Sequence, residues 1–222
     1  YSSAASDVYK RQVSSTGTDT YSAITAAVGS LKGPKHGGAN RQVLAQFSLI
    51  KQTVRDWKDD DAVADCVGRI LRRELGDGSG LIYGMGHAVY TLSDPRTVIL
   101  RQSARTLAAQ RGMLDELELM EAVERVTPRV FAEVTGHEKV MCANVDMYSG
   151  LIYQMLDIPP DLFTPLFAVA RITGWCAHRM EEVLTGGRLY RPAYKSLTRH
   201  REYIPMAART YRKNPLPAEK RD

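Results

Sequence analysis

Two histidines in this sequence stand beside glycines, a setting that leaves the backbone open for a ligand to approach the ring. His36 lies in the run Gly-Pro-Lys-His-Gly-Gly-Ala-Asn at positions 33–40, between two predicted helices. His87 follows the triplet Gly-Met-Gly, in a loop with five glycines between positions 76 and 86. Each is therefore a candidate ligand contact. The alternative for His36 is a plain turn between helices with an exposed imidazole.

Two arginines occupy positions that favour an anionic partner. Arg96 stands in the first turn of a helix opened by Asp94-Pro95. Helix N–H groups attract an anion there, whereas a cation opposes the helix dipole. Arg171 lies in a helix that is apolar nearly all round, so we expect it to be buried and to need a counter-charge. Each arginine binds either a carboxylate of the protein or an anionic ligand.

An aspartate at the start of another predicted helix is the candidate general base. Asp146 lies in Asn-Val-Asp-Met-Tyr. It could also do no more than stabilise the helix dipole. His137, His178 and His200 share no spacing typical of metal ligands, so we predict no metal site. The sequence contains none of the short motifs of serine hydrolases, zinc proteases, P-loop proteins or EF-hands.

The elements that must position these side chains read as helices, which predicts an all-α fold. Apolar residues recur at three- and four-residue spacing, and Gly or Pro separates the segments. The predicted helices cover 20–31, 40–57, 62–75, 95–111, 114–126, 128–135, 144–155 and 164–185. Only 81–83 and 89–91 resemble short strands.

Composition and charge restrict the class of protein. The 222 residues are 44% hydrophobic and 25% charged, as in folded domains, with a net charge of +5. Residues 188–222 hold ten basic and three acidic side chains, so the excess charge lies in a tail. That tail leaves open a helical nucleic-acid-binding protein. Three scattered cysteines indicate a reducing compartment, and with no apolar run long enough to span a membrane we predict a cytoplasmic location.

The first residues are set apart from the fold predictions. Residues 1–12 resemble translated sequencing-adapter sequence and contain no methionine. We therefore expect a non-native segment there, with the genuine protein entering near Val13 as a fragment of a longer chain.

Five segments in the same order resemble the citrate synthase family over about residues 13–205. They are GPKHGGAN at 33–40; GMGHAV at 84–89 with DPR at 94–96; NVDMYSG at 144–150; FTPLFAVAR at 163–171 with GW at 174–175; and RP at 191–192. The resemblance is to the C-terminal part of the family's chain. It implies a multi-helical fold with a small domain at 37–145 and part of a large dimer-forming domain at 13–36 and 146–222.

By this resemblance, three residues would catalyse the condensation of acetyl-CoA with oxaloacetate to citrate and CoA. His36 would hydrogen-bond the thioester carbonyl and stabilise the enol, while Asp146 removes a methyl proton. His87 would polarise the oxaloacetate carbonyl and protonate the new alkoxide. These roles fit the chemistry, since a carboxylate alone is too weak a base for a thioester α-proton unless the enolate is stabilised.

The same resemblance assigns the substrate contacts. Arg96 and Arg171 would bind oxaloacetate carboxylates, and Arg191 would reach into the partner's site of a homodimer. The loop residues Gly84, Met85 and Gly86 would meet CoA through their backbone. No cofactor is implied, because acetyl-CoA is a substrate.

Two expectations remain open on the sequence alone. The 2-methylcitrate synthases take propionyl-CoA, and no residue here decides between the two acyl groups, which differ by one methylene. We also expect this chain to be inactive by itself, because the family's N-terminal helices, including a histidine that contacts oxaloacetate, are absent. Without them, helices 20–31 and 165–184 should present exposed apolar patches.

Overall fold

Aspartates cap three of the helices in the computed structural model, which describes residues 2–33, 36–87, 90, 92–138, 140–191 and 203–209. Asp19, Asp59 and Asp94 each accept a hydrogen bond from a backbone N–H of the following first turn. Within these ranges the α-helices are α1 Ser2–Ser14, α2 Thr20–Leu31, α3 Ala39–Thr53, α4 Asp60–Leu71, α5 Pro95–Arg111, α6 Leu114–Thr135, α7 Asp146–Met155 and α8 Phe163–Thr185. Short 3₁₀ turns cover Pro160–Leu162 and Met206–Ala208. The prediction of an all-α fold is confirmed.

The larger hydrophobic core lies among α3 to α7. Helix α4 packs on α6, and α7 packs on both α3 and α5. Fully buried side chains from these helices form one cluster, which includes Val43, Ile50, Val67, Leu117, Val123, Met147, Tyr148 and Leu151. This core fixes the start of α7, where Asp146 stands.

The other helices form a smaller core and leave apolar surface exposed. Helices α1, α2 and α8 pack together around Ala27, Leu31 and Trp175. Several large apolar side chains of α2 and α8 face solvent: Tyr21, Val28, Val169, Ile172, Met180, Val183 and Leu184. The exposed patches expected on these two helices are therefore present, and the better-packed core lies in the 37–155 part of the chain.

The structure corrects two local predictions. The prediction of a helix break before Pro128 was wrong, because α6 runs unbroken from Leu114 to Thr135 with Pro128 inside it. The loss of one backbone hydrogen bond is outweighed because buried residues on both sides of the proline pack into the core. The prediction that α8 is buried was also wrong. Only Phe163 and Trp175 of this helix are buried, and the Arg171 side chain is 31% exposed.

The strand-like stretches form no strand among the described residues. Residues 81–83 lie in irregular loop, and of 89–91 only Tyr90 lies within the described part. One isolated antiparallel bridge joins Met85 to Ala143.

Helix α1 falls on the segment that the sequence analysis set apart as adapter-like. The structure forms a helix there, and the helix packs on α2 and α8. The origin of residues 1–12 and the predicted domain division at residues 36/37 and 145/146 stay predictions.

The chain divides into two units, Tyr1–Tyr190 and Arg191–Asp222. The described parts of the second unit are Arg191, which is exposed, and residues 203–209. Most of the basic tail lies outside the described residues. None of the described helices is both long and apolar enough to cross a bilayer.

Candidate active site

The glycine-rich loop that carries His87 is held by a glutamine from α3. The buried side chain of Gln46 donates from Nε2 to the carbonyl oxygen of Leu81, and its Oε1 accepts from the backbone N–H of Tyr83; both distances are 2.9 Å. The Tyr83 hydroxyl in turn donates to Asp77 at 2.6 Å. An amide side chain thus pairs with the loop as a neighbouring strand would, which fixes a segment that has no regular structure of its own.

The end of this loop packs against the segment before α7. Gly84 has φ +85°, and a Cβ there would lie 3.0 Å from the Cα of Met147, so only glycine fits. The N–H of Gly86 donates to the carbonyl of Cys142 at 2.8 Å, and that of Met85 to Ile82 at 3.2 Å. Two of the loop N–H groups predicted to meet CoA are therefore already hydrogen-bonded within the chain.

Asn144 joins the two halves of the site. Its Nδ2 donates to the carbonyl oxygen of Gly86 at 3.0 Å, and its Oδ1 accepts from the N–H of Asp146 at 3.0 Å. Its own N–H donates to the carbonyl of Gly84 at 2.9 Å. One residue therefore links the loop that ends at His87 to the first residue of α7, and sets the distance between them.

A buried carboxylate lies between His87 and Arg96. The side chain of Asp94 has no exposed surface; it accepts from Arg96 Nε at 3.1 Å and from Nη2 at 2.7 Å. The Nε2 of His87 lies 4.0 Å from Asp94 Oδ2. Burial alone would raise the pKa of Asp94, but the hydrogen bonds and charge of Arg96 outweigh it and hold that pKa below its usual value. Asp94 is therefore ionised at neutral pH.

The hydrogen bonds of His87 define its tautomer. The backbone N–H of Tyr90 donates to His87 Nδ1 at 3.0 Å, so Nδ1 is an acceptor. Burial lowers the pKa of His87, which keeps the ring neutral at neutral pH. A neutral ring that accepts at Nδ1 carries its proton on Nε2, the nitrogen that faces the cluster of Asp94 and Arg96. This is the form that can donate a hydrogen bond to a carbonyl oxygen.

Asp146 has the properties of a general base. Burial raises the pKa of Asp146 to about 6, and the opposing pull of the Arg96 charge is smaller. The charge of Asp146 in turn raises the pKa of Arg96, and that of Asp94 raises the pKa of Asp146, so the three side chains lie within electrostatic reach of one another. A carboxylate with a pKa near 6 is a stronger base than an exposed one and is still ionised at neutral pH.

The contacts of His36 and Arg171 are with other helices: His36 meets residues of α8 and α1, and Arg171, on α8, meets a residue of α1. The ring of His36 meets Phe167 edge-on at 6.1 Å between centroids, and its Nε2 lies 3.3 Å from Ser6 Oγ. Burial lowers the pKa of His36, so this imidazole is also neutral at neutral pH. Arg171 stands one helical turn beyond Phe167 and forms an ion pair with Asp7. Of the two partners that the sequence allowed, Arg171 has a protein carboxylate in this structure.

His87, Arg96 and Asp146 are thus brought together, while His36 and Arg171 share the α8 side. That all five face one cleft stays a prediction, as do the roles of Gly84, Met85 and Gly86 toward CoA. Arg191 is exposed and belongs to the second unit, and its role in a partner's site likewise stays a prediction. Among the residues that the structure describes, no cluster of side chains could hold a metal ion.

Three residues of this site were missed or only partly seen in the sequence. Asp94 was identified as a helix cap, but its contacts with Arg96 and His87 need the fold. Asn144 was one letter of a motif, and Gln46 gave no signal beyond a polar residue on the apolar face of a predicted helix. A buried polar position on such a face is the one sequence cue that could have found Gln46.

Comparison with known proteins places this geometry in a family. The fold and site define an all-α protein with a carboxylate of raised pKa, a neutral imidazole and an arginine close together. Residues 2–193 match the family model described as citrate synthase, C-terminal domain. The chain therefore belongs to the citrate synthase family, as the five segments indicated.

The relatives include both citrate synthases and 2-methylcitrate synthases. Citrate synthase of Synechocystis is 40% identical over 208 residues, 92% of this chain and 47% of that protein. The 2-methylcitrate synthase 1 of Corynebacterium glutamicum is 38% identical over 208 residues, 93% of this chain and 49% of that protein. The citrate synthase of Thermoplasma acidophilum, solved with carboxymethyl coenzyme A and oxaloacetate, has a TM-score of 0.70 at 32% identity over 92% of this chain and 51% of its own. The chain spans about half the length of the curated relatives it matches.

Proposed function

We propose that this chain carries the acid–base residues of a citrate synthase-type condensation of an acyl-CoA with oxaloacetate. The observation that carries the proposal is Asp146, a carboxylate with a pKa of about 6 in the electrostatic neighbourhood of Arg96. Since the curated relatives are about twice as long, the complete site is proposed for the longer polypeptide.

The proposed reaction balances through these residues. Asp146 removes a proton from the carbon next to the thioester carbonyl, and the His36 N–H hydrogen-bonds the developing enolate oxygen. The enol carbon then attacks the carbonyl carbon of oxaloacetate, and His87 Nε2–H donates its proton to the new alkoxide. Water then hydrolyses the thioester: it returns a proton to the His87 ring as it attacks, Asp146 passes its proton to the departing thiolate of CoA, and the new carboxylic acid releases one proton to solvent. The products are CoA and the tricarboxylate. Neutral imidazoles suit both donor roles because neither adds a fixed positive charge to the site.

Substrate contacts are proposed on the same basis. Arg96, with a side chain 43% exposed beside His87, would bind one carboxylate of oxaloacetate. Arg171 would bind the second once it exchanges Asp7 for the ligand, and Arg191 would complete the site of the partner subunit in a homodimer. The loop at Gly84–Gly86 would lie along CoA. A cytoplasmic location fits the three unpaired cysteines.

Acetyl-CoA is the proposed acyl donor, and propionyl-CoA is the second candidate because 2-methylcitrate synthases are among the relatives. The family assignment favours an enzyme over the nucleic-acid-binding protein that the basic tail left open.

The test is turnover by this chain fused behind the N-terminal half of the Synechocystis enzyme. Loss of thioester absorbance is followed with acetyl-CoA and with propionyl-CoA, each with oxaloacetate. An absorbance readout avoids reaction of a thiol reagent with Cys176, which is only partly buried. We expect turnover that an Asp146→Asn fusion loses by at least about a hundredfold. Equal turnover by the two fusions would refute the role of Asp146.

A further inference from the structure

Asp94 is a buried charge that the proposed reaction does not use. Helix caps are normally solvent-exposed, as Asp59 is at the start of α4. Asp94 caps α5 in nearly the same backbone conformation, with φ −88° and ψ 116° against −86° and 101° for Asp59. A cap alone therefore does not require the burial of Asp94, and burying a carboxylate costs free energy unless it is paired.

The pairing of Asp94 uses only part of Arg96. Nε and Nη2 of the guanidinium donate to the two carboxylate oxygens, while Nη1 makes no hydrogen bond to any residue that the structure describes. A guanidinium can bind a second carboxylate along its other edge, through Nη1 and the remaining Nη2 proton. That edge belongs to a side chain that is 43% exposed.

Arg96 would not stay in place unaided. A cation in the first turn of a helix is repelled by the helix dipole. A long arginine side chain also loses rotamer entropy when it is fixed. The buried carboxylate opposes both effects, because it holds Arg96 in a two-point hydrogen bond beside the Nε2 of His87.

We propose that Asp94 is the positioning residue of this site, which fixes Arg96 by one edge so that its other edge is presented to an anionic ligand. A ligand that fits this edge carries a carboxylate, as a 2-oxo acid does. This inference rests on the proposed function for the identity of the ligand, oxaloacetate, and on geometry alone for the ordering of Arg96.

The substitution Asp94→Asn distinguishes a purely electrostatic effect of Asp94 from a positioning role, because the two predict opposite changes in oxaloacetate affinity. In Asp94→Asn a negative charge is removed, so Coulomb attraction alone would tighten the binding of a dianion. If Asp94 instead positions Arg96, the affinity for oxaloacetate falls about tenfold, as expected for loss of a charge-assisted hydrogen-bond pair. Asparagine caps a helix as well as aspartate does, so the fold is retained. Asp59→Asn is the matched control, with the same cap and no arginine bound to its side chain among the described residues.

The experiment uses the 222-residue chain with ¹⁵N-labelled arginine, and assigns the Arg96 Nε–H signal with Arg96→Lys. We expect slow solvent exchange of this proton in the wild type and in Asp59→Asn, and fast exchange in Asp94→Asn. Oxaloacetate is then titrated into the wild type and each variant carried in the fusion with the N-terminal half of the Synechocystis enzyme, and urea unfolding confirms that each protein is folded.

Each outcome decides the proposal. Fast exchange with weaker oxaloacetate binding in Asp94→Asn supports it. Unchanged exchange of the Arg96 proton, or binding that is equal or tighter, overturns it and leaves Asp94 as a cap. If the exchange changes but oxaloacetate moves no signal even in the wild type, the positioning role stands and oxaloacetate as ligand of this chain is refuted. If Asp94→Asn proves unfolded, Asp94→Glu must restore the slow exchange for the proposal to survive.

Discussion

Replacing Asp146 by asparagine should stabilise this chain at neutral pH, because the ionised form of the carboxylate is disfavoured by burial. Its pKa is about 6 in the folded chain against 3.8 for the unperturbed group. Between these two values the folded chain holds the proton more tightly than the unfolded chain does. The contribution of this carboxyl group to the free energy of unfolding is therefore fully present below about pH 4, and it is lost as the pH rises through about 6.

The size of the effect follows from the pKa difference. A shift from 3.8 to about 6 corresponds to a cost of at most about 3 kcal/mol in the ionised state. Asp146 also stands in the first turn of α7, where its negative charge gains about 0.5 kcal/mol from the helix dipole. The substitution should therefore raise the free energy of unfolding by about 2 kcal/mol at about pH 8, and by nearly nothing at about pH 4.

Urea unfolding of the 222-residue chain at both pH values measures this gain. The control is Asp61→Asn, whose side chain is 96% exposed and should change stability by less than about 0.5 kcal/mol at either pH. A gain for Asp146→Asn that is the same at both pH values, or a loss at the higher one, would refute the reasoning. It would mean that the carboxylate is not held in a setting that favours its protonated form.

Three other changes have defined outcomes. Gly84→Ala should lower the free energy of unfolding by more than about 1 kcal/mol, since the new Cβ meets Met147 at 3.0 Å. The control, Gly112→Ala, also has a positive φ of +68° but open space around it, so it should lower the free energy of unfolding by less. Equal losses for the two variants would contradict the steric argument. Asn144→Ala removes two hydrogen bonds and should cost about 1–3 kcal/mol and speed amide exchange at Gly86, whereas unchanged exchange would show that the bridge does not hold the loop. The unfused 222-residue chain should form no citrate, and robust turnover by it would contradict the expectation that a longer polypeptide is needed.

The helices were predictable from the sequence for local reasons, and the resemblance supplied the candidate site residues. Apolar spacing and capping residues act within a few positions, so α2 and α5 begin and end as predicted. Glycines beside a histidine likewise mark a backbone that must stay open. Where local and distant effects conflict, the prediction from sequence was wrong. Pro128 predicts a helix break, yet the buried residues around it keep α6 continuous.

The environment of each reactive group was decided only by the tertiary structure, because it depends on residues far apart in the chain. The pKa of His87 is lowered by its burial, although the hydrogen bond at its Nδ1 comes from Tyr90, only three positions along the chain. The raised pKa of Asp146 comes from the burial of α7 among other helices, which outweighs the opposing charge of Arg96, some fifty positions earlier. No sequence pattern encodes desolvation at one atom, since it is a sum over all the neighbours that the fold brings near. The sequence thus supplied the candidate acid, base and arginines, and the fold determined the protonation of His87 and Asp146 and the pairing of Arg96 with Asp94.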